Sequence, residues 1–181
     1  MCSPLSRVIP VAVIALGIAG CTSGIVVNEN RDPLLVMVSS GTGIRYNRDI
    51  RVVTANLSGT PAVLWPQLKA AFAALGLPVT ASAGADHALS AQNAEFNGTF
   101  DKAPMSRVVN CGLTSMGAQR ANAYRVWLTV ASQLQAADTG STLRTTVVAT
   151  AQDPSSSTAS VQCGSTGMLE EELAKRMGGQ K

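Results

Sequence analysis

The stretch that decides the fold is Asn122–Gln135, NAYRVWLTVASQLQ. Its side chains alternate between two faces. One face carries Tyr124, Val126, Leu128, Val130 and Leu134, and the other carries Arg125, Trp127, Thr129, Gln133 and Gln135. Because successive side chains of a strand point to opposite sides, this period of two predicts one long strand with a buried face and a wet face.

A second stretch, Ser141–Ala151, repeats the alternation. Its apolar face carries Leu143, Val147, Ala149 and Ala151, and its other face carries Arg144, Thr146, Val148 and Thr150. The turn-forming residues Ala136–Gly140 separate the two stretches. The sequence therefore predicts an antiparallel pair of long strands.

A principal core helix is expected upstream, after a strand over Arg51–Leu57. Thr60 suits the N-cap and Pro61 the first helical position. Apolar residues then recur at helical spacing, at Leu64, Leu68, Ala71, Phe72 and Leu75. Gly76 suits the position after the helix. Pro66 lies inside this helical stretch and lacks a backbone N–H, so we expect either a kink in the helix at Pro66 or a regular helix that begins only there.

A second helix is expected near the C-terminus, with Leu169, Leu173 and Met177 as its apolar stripe. Acidic residues Glu170, Glu171 and Glu172 occupy its first turns, and Lys175 and Arg176 its last turn. This distribution complements the helix macrodipole, so we interpret the three glutamates as helix-terminal charges rather than catalytic acids.

The segment between these elements predicts shorter pieces. His87–Ala91 and Ala94–Phe100 are expected to form a hairpin, and Ala103–Val109 a short helix carrying Met105, Val108 and Val109 inward. The expected order is β-α-β-β-(short α)-β-β-α. This order predicts an α+β fold, in which an antiparallel sheet is packed on one face by two helices.

Composition narrows the class of protein. The chain has 181 residues and a formal charge of +3, with 14% charged and 4% aromatic residues. It is too apolar for a disordered tail and lacks the basic excess of a nucleic-acid-binding protein. We therefore expect one globular domain and no nucleic-acid partner.

The N-terminus resembles a bacterial lipoprotein precursor. An apolar run, Val8–Ala19, is too short at roughly 12 residues to span a membrane, which takes about 20, but it suits the h-region of a signal peptide. Ile18-Ala19-Gly20-Cys21 follows the lipobox pattern of an aliphatic residue, two small residues and cysteine. The resemblance implies a signal peptide over 1–20 and lipidation of Cys21. The alternative is a generic signal peptide with an incidental cysteine.

Lipidation would anchor the chain to a membrane rather than thread it through one. Residues 21–48 are then a tether rich in turn formers, although Leu34–Val38 is too apolar for a pure linker. We expect Leu34–Val38 either to dock as an edge strand or to pack loosely against the domain. Residues 49–181 form the single domain. Thr22 follows the cysteine, and by the same resemblance it favours the outer membrane, with the domain facing the periplasm. The expected location is the bacterial cell envelope.

Two cysteines remain after signal removal and lipidation, Cys111 and Cys163. Because exported proteins reside in an oxidising compartment, we expect them to form a disulfide, the alternative being two buried free thiols. Two cysteines and the distant His87 do not supply four ligands, so no metal site is expected.

No catalytic constellation or cofactor motif is apparent. Gly164-Ser165-Thr166-Gly167 lacks the G-x-S-x-G spacing, and His87 is expected to be a surface residue. The sequence therefore predicts a protein that is not an enzyme and takes no cofactor.

The element order is similar to that of the helix-grip modules of several envelope lipoproteins, and the chain resembles lipoproteins of unassigned function. We expect a non-enzymatic role in binding or assembly with an envelope protein partner, or alternatively carriage of a small apolar ligand. A filled space between the Trp65/Phe72 helix and the Tyr124–Leu134 strand would favour the first, and a cavity of several hundred Å³ the second.

Overall fold

A computed structural model of the chain describes residues 50–155 and 160–178. Cys21, the signal peptide over 1–20 and the tether over 21–48 with Leu34–Val38 lie outside the described residues. The described elements, in chain order, are β1 (Val52–Leu57), α1 (Pro61–Ala74), β2 (Ala81–Ala83), β3 (Ala88–Asn97), β4 (Thr99–Phe100), β5 (Ala103–Pro104), a 3₁₀ turn (Met105–Arg107), β6 (Val109–Asn110), α2 (Arg120–Ala123), β7 (Arg125–Ala137), β8 (Gly140–Gln152), β9 (Ser160–Ser165) and α3 (Met168–Arg176).

The long strand pair is confirmed. β7 and β8 pair along their whole lengths, from Arg125↔Gln152 to Ala137↔Gly140. The turn is tighter than expected and consists of Asp138 and Thr139. Gly140 has a φ of 141°, and a Cβ there would collide with the Leu57 carbonyl oxygen. Only glycine therefore lets the end of β1 pass this close to the turn.

The main sheet is antiparallel, with the strand order β2-β3-β7-β8-β9-β6 and β1 beside β8. β1 pairs with Ser141–Thr146 of β8, and β9 pairs with Ala149–Gln152 of the same edge. Helices α1 and α3 share one core with the inner face of this sheet. The fold is therefore α+β, as the sequence predicted.

Helix α1 starts at Pro61, with Thr60 at the N-cap, and continues through Pro66. The alternative prediction, that the regular helix begins only at Pro66, is therefore wrong. The predicted apolar face is confirmed, since Leu64, Leu68, Ala71, Phe72 and Leu75 are all buried. Gly76 follows in the left-handed region, with a φ of 66°.

The predicted hairpin over 87–100 is wrong. Residues Ala88–Asn97 form one strand, β3, in which a bulge between Ala91 and Ala94 shifts the register against β7. Asn93 takes a φ of 52° in the bulge, and its N–H donates to Thr129 Oγ1 at 3.1 Å. The polar Gln92-Asn93 pair thus accommodates an extra residue within a strand, where the sequence suggested a turn.

The short helix predicted over Ala103–Val109 is reduced to a single 3₁₀ turn, Met105–Arg107, flanked by the strands β5 and β6. Met105, Val108 and Val109 are nevertheless buried, as expected. Two elements were missed, the one-turn helix α2 and the strand β9. α2 occupies the start of the predicted strand, so β7 begins at Arg125 rather than Asn122.

The second face of the sheet is not wet at its centre, which corrects the prediction for β7. Thr129, Ala131 and Gln133 are buried on that face. Ile50 and Val52 pack against Ala131 and Val148 there. The sheet therefore has a small second apolar cluster opposite the helices.

Candidate functional site

The space between α1 and β7 is filled. Leu68 and Phe72 from the helix and Val126, Leu128 and Val130 from the strand are all 0% exposed and belong to one core cluster. Trp65 lies at the margin of this core, with its ring 5.8 Å from that of His87 and nearly perpendicular to it. Described residues thus fill the space between α1 and β7 in which a carrier of an apolar ligand would need a cavity.

A groove of about 640 Å³ lies between α3 and the strands β1 and β8. We call it the α3–β1 groove. Apolar side chains of all three elements line it, namely Val53, Ala55, Leu143, Met168 and Ala174. Thr145 and the helix residues Glu170, Glu171, Glu172 and Lys175 add polar groups. The groove thus joins an apolar lining to a charged side.

One wall of the α3–β1 groove is the edge of a sheet. β1 pairs residue by residue with β8, from Val52↔Thr146 to Leu57↔Ser141, and no other described strand pairs with it. Four consecutive β1 residues, Val53–Asn56, line the groove. Because alternate side chains of a strand point to opposite faces, four consecutive lining residues bring the strand's backbone edge to the groove.

The position of β1 is fixed at both ends. Thr146 Oγ1 donates to the Arg51 carbonyl at 3.0 Å, and Ser141 Oγ donates to the Gly59 carbonyl at 2.7 Å. Both donors lie on β8 and bracket the paired segment. These two hydrogen bonds therefore hold β1 in an extended conformation at the edge of the sheet.

Glu170 is the unusual residue of the groove. It is a carboxylic acid only 2% exposed. Ser165 Oγ donates to its Oε1 at 2.6 Å, whereas Oε2 is buried without a hydrogen-bond partner among the described residues. Burial raises the pKa of Glu170 above its usual value, and the Ser165 hydrogen bond and the Arg51 charge oppose this only in part.

The loop before α3 holds Ser165 in place. Ser165 Oγ accepts the Gly167 N–H at 3.0 Å, and Gly167 is the N-cap of α3 with a φ of 91°. Thr166 Oγ1 donates to the Val108 carbonyl at 2.9 Å, which attaches this loop to the segment before β6. A single hydroxyl thus connects the start of the helix to the buried carboxylate.

The predicted disulfide is confirmed. Cys111 and Cys163 are bonded, with their Cα atoms 4.3 Å apart, so the alternative of free thiols is wrong. Cys163 lies within β9, two residues before Ser165, and Cys111 follows β6 directly. The crosslink therefore fastens the strand that leads into the Ser165–Glu170 contact.

Ser165 and His87, which the sequence analysis considered as catalytic candidates, contact different residues. Ser165 contacts Glu170 at the β9 end of the fold, whereas His87 packs against Trp65 beside β3. Glu172 Oε1 accepts from Arg176 Nε at 3.0 Å, in an ion pair between residues four apart on α3. Glu170 and Glu171 lie in the first turn of α3, as expected of helix-terminal charges, but Glu170 is buried.

Sequence reasoning missed Glu170 because its charge suggested solvent. The helical spacing held a signal, since Glu170 lies three and four residues before the buried Leu173 and Ala174 and so shares their face.

No group of three or more His, Cys, Asp or Glu residues suited to a metal ion occurs within 50–155 and 160–178. No helix in the same residues is long and apolar enough to cross a membrane. In comparisons with known proteins, no protein-family model matches the chain, and no curated protein matches it significantly.

Proposed function

We propose that this chain is the precursor of a lipid-anchored bacterial envelope protein whose domain binds an extended segment of a partner protein. The partner segment adds a strand to β1 in the α3–β1 groove. The observation that carries this proposal is the edge of β1 that no other described strand pairs with, beside a groove lined by α3. The role is binding or assembly, without catalysis.

Strand addition suits the chemistry of this edge. An unpaired strand presents N–H and C=O groups that a second strand can satisfy, while neighbouring pockets select its side chains. Proteins usually protect exposed edges with lysine, proline or bulges. β1, VVTANL, contains neither a charged residue nor proline. An unprotected edge beside a groove is expected where pairing with a partner is the function.

The opposite edge of the sheet differs. β2 has only three residues, Ala81–Ala83, and pairs with β3. As a surface for pairing with another strand, β2 is therefore half as long as β1. The two edges therefore provide an internal comparison, in which β1 is the binding edge and β2 is not.

The filled core between α1 and β7 supports a binding protein over a carrier of an apolar ligand. The acidic side of the α3–β1 groove also suits a peptide better than a lipid or other apolar molecule.

The proposed lipid anchor would determine where the domain is located. A thioether-linked lipid on Cys21 would hold the protein at the membrane, and a tether of residues 21–48 would let the domain reach about 25–30 Å from it. We propose the outer membrane, with the domain in the periplasm. Radiolabelled palmitate should label the wild-type chain in a bacterial host, and Cys21→Ser should abolish the label. Equal labelling of both chains would contradict the anchor.

Site-specific photo-crosslinking in intact envelopes tests the binding edge. A photoreactive amino acid replaces Asn56, an exposed β1 residue at the groove, or Ser82, an exposed residue of β2. Asn56 should give discrete adducts with an envelope protein, whose crosslinked peptide is then sequenced. Ser82 should give none. Adducts from both positions, or from Ser82 alone, would contradict β1 as the binding edge.

A further inference from the structure

We propose that the segment bound in the α3–β1 groove carries a lysine or arginine side chain, which pairs with the free carboxylate oxygen of Glu170. This inference rests on the proposed function and specifies the chemistry of the partner.

The unsatisfied oxygen is the first argument. A buried carboxylate oxygen without a donor leaves an acceptor that has lost its water, which is costly unless a partner supplies a proton. Glu170 Oε2 is such an atom among the described residues, and its side chain lines the groove. An arriving ammonium or guanidinium group would supply a charge-assisted hydrogen bond to it.

The fixed position of Glu170 is the second argument. Ser165 holds Oε1, so the carboxylate keeps one orientation, and Oε2 is the buried oxygen without a hydrogen-bond partner among the described residues. If Glu170 served only to cap α3, its contact with Ser165 would suffice, and the second oxygen would have no role.

The surrounding charge is the third argument. The groove lining contains three carboxylates, Glu170, Glu171 and Glu172, against one cation, Lys175. The charge of Arg51 acts on Glu170 electrostatically, whereas Arg176 forms an ion pair with Glu172 at 3.0 Å. Because Arg176 already pairs with Glu172, Glu170 is the carboxylate whose ionised form a cation bound in the groove would stabilise.

Panning of a phage library that displays random 12-residue peptides tests this inference. The bait is residues 21–181 with Cys21→Ser and the disulfide intact. Enriched peptides should alternate β-branched and other residues and share one lysine or arginine at a fixed register. The strongest peptide should lose affinity roughly tenfold when its lysine becomes norleucine, which corresponds to one charge-assisted hydrogen bond.

The matched protein variants are Glu170→Gln, which keeps the size of the side chain, and Glu95→Gln, which makes the same change at an exposed position outside the groove. Glu170→Gln should weaken binding of the lysine peptide about tenfold and leave the norleucine peptide unchanged. Glu95→Gln should change neither peptide. A thermal melt of each variant checks that it is folded.

The outcomes separate the two proposals. Peptides that bind at β1 without a preferred basic residue, or that bind Glu170→Gln as tightly as wild type, would overturn the role of Glu170 and leave strand addition intact. Peptides that crosslink away from β1, or a library without binders, would contradict the groove as a peptide site.

Discussion

The Ser165 hydroxyl donates a hydrogen bond of 2.6 Å to Oε1 of Glu170, a carboxylic acid that is almost entirely buried. This contact joins the end of β9 to the first turn of α3 and places a carboxylate in the lining of the α3–β1 groove. Burial raises the pKa of Glu170 because it favours the protonated form, and the Ser165 hydrogen bond opposes this only in part.

Glu170→Gln should remove a pH dependence of stability. The folded-state pKa of Glu170 lies above its unfolded value, so its stabilising contribution is fully present below about pH 4.5 and is lost as pH rises through the folded pKa. The variant should therefore match wild type near pH 4 and be the more stable protein at pH 7.5. Urea unfolding at both pH values measures the difference. A variant less stable than wild type at pH 7.5 would contradict it.

Sequence periodicity correctly predicted those elements whose apolar residues recur at a constant spacing over a long stretch. β7 and β8 alternate over 13 residues each, and α1 repeats its apolar face over four turns, so tertiary packing agreed with local preference. Residues 160–165, SVQCGS, carry no such pattern. β9 exists because β8 offers an edge there and because Cys163 is bonded to Cys111.

The candidate site was less predictable than the fold. The groove forms where β1, β8 and α3 pack together. These elements lie far apart in the chain, so no local sequence pattern predicts their contact. The bulge in β3 was missed for a related reason, since the Thr129 hydroxyl that receives the Asn93 N–H belongs to β7.

Loss of the disulfide should destabilise the domain strongly. The bond closes a loop of 52 residues, and constraining such a loop in the unfolded chain contributes up to about 4 kcal/mol. Urea unfolding of the double variant Cys111→Ser/Cys163→Ser should give a correspondingly smaller free energy of unfolding. A reductant should lower the stability of wild type and leave the double variant unchanged. A wild type insensitive to reductant would contradict the crosslink in solution.

Phe72→Ala should disrupt the core between α1 and β7. The Phe72 side chain is 0% exposed, and its removal should cost about 3–5 kcal/mol through lost burial and the cavity left behind. Val63→Ala changes a residue on the same helix that is 60% exposed, so it should cost less than about 0.5 kcal/mol. Chemical denaturation compares the two. Similar costs would mean that the helix does not pack as described.

Val148→Asp tests the apolar cluster on the second face of the sheet. Val148 is 4% exposed and packs with Ala131, so an unpaired charge there should cost roughly 3 kcal/mol or more. Thr150→Asp places the same charge two residues along, on the same face of β8, where the side chain is half-buried. The difference in thermal midpoint measures the contrast. A mild effect of Val148→Asp would support the wet face that the alternation predicted.

Strand addition is tested most directly by hydrogen–deuterium exchange of residues 21–181 carrying Cys21→Ser, with and without the strongest library peptide. Within Val52–Leu57, the backbone amides that point away from β8 should exchange more slowly when the peptide is bound, because a newly paired strand protects them. Amides of Ala81–Ala83 in β2 should exchange at the same rate in both samples. Protection confined to β2, or unchanged exchange along β1 at a saturating peptide concentration, would contradict the account.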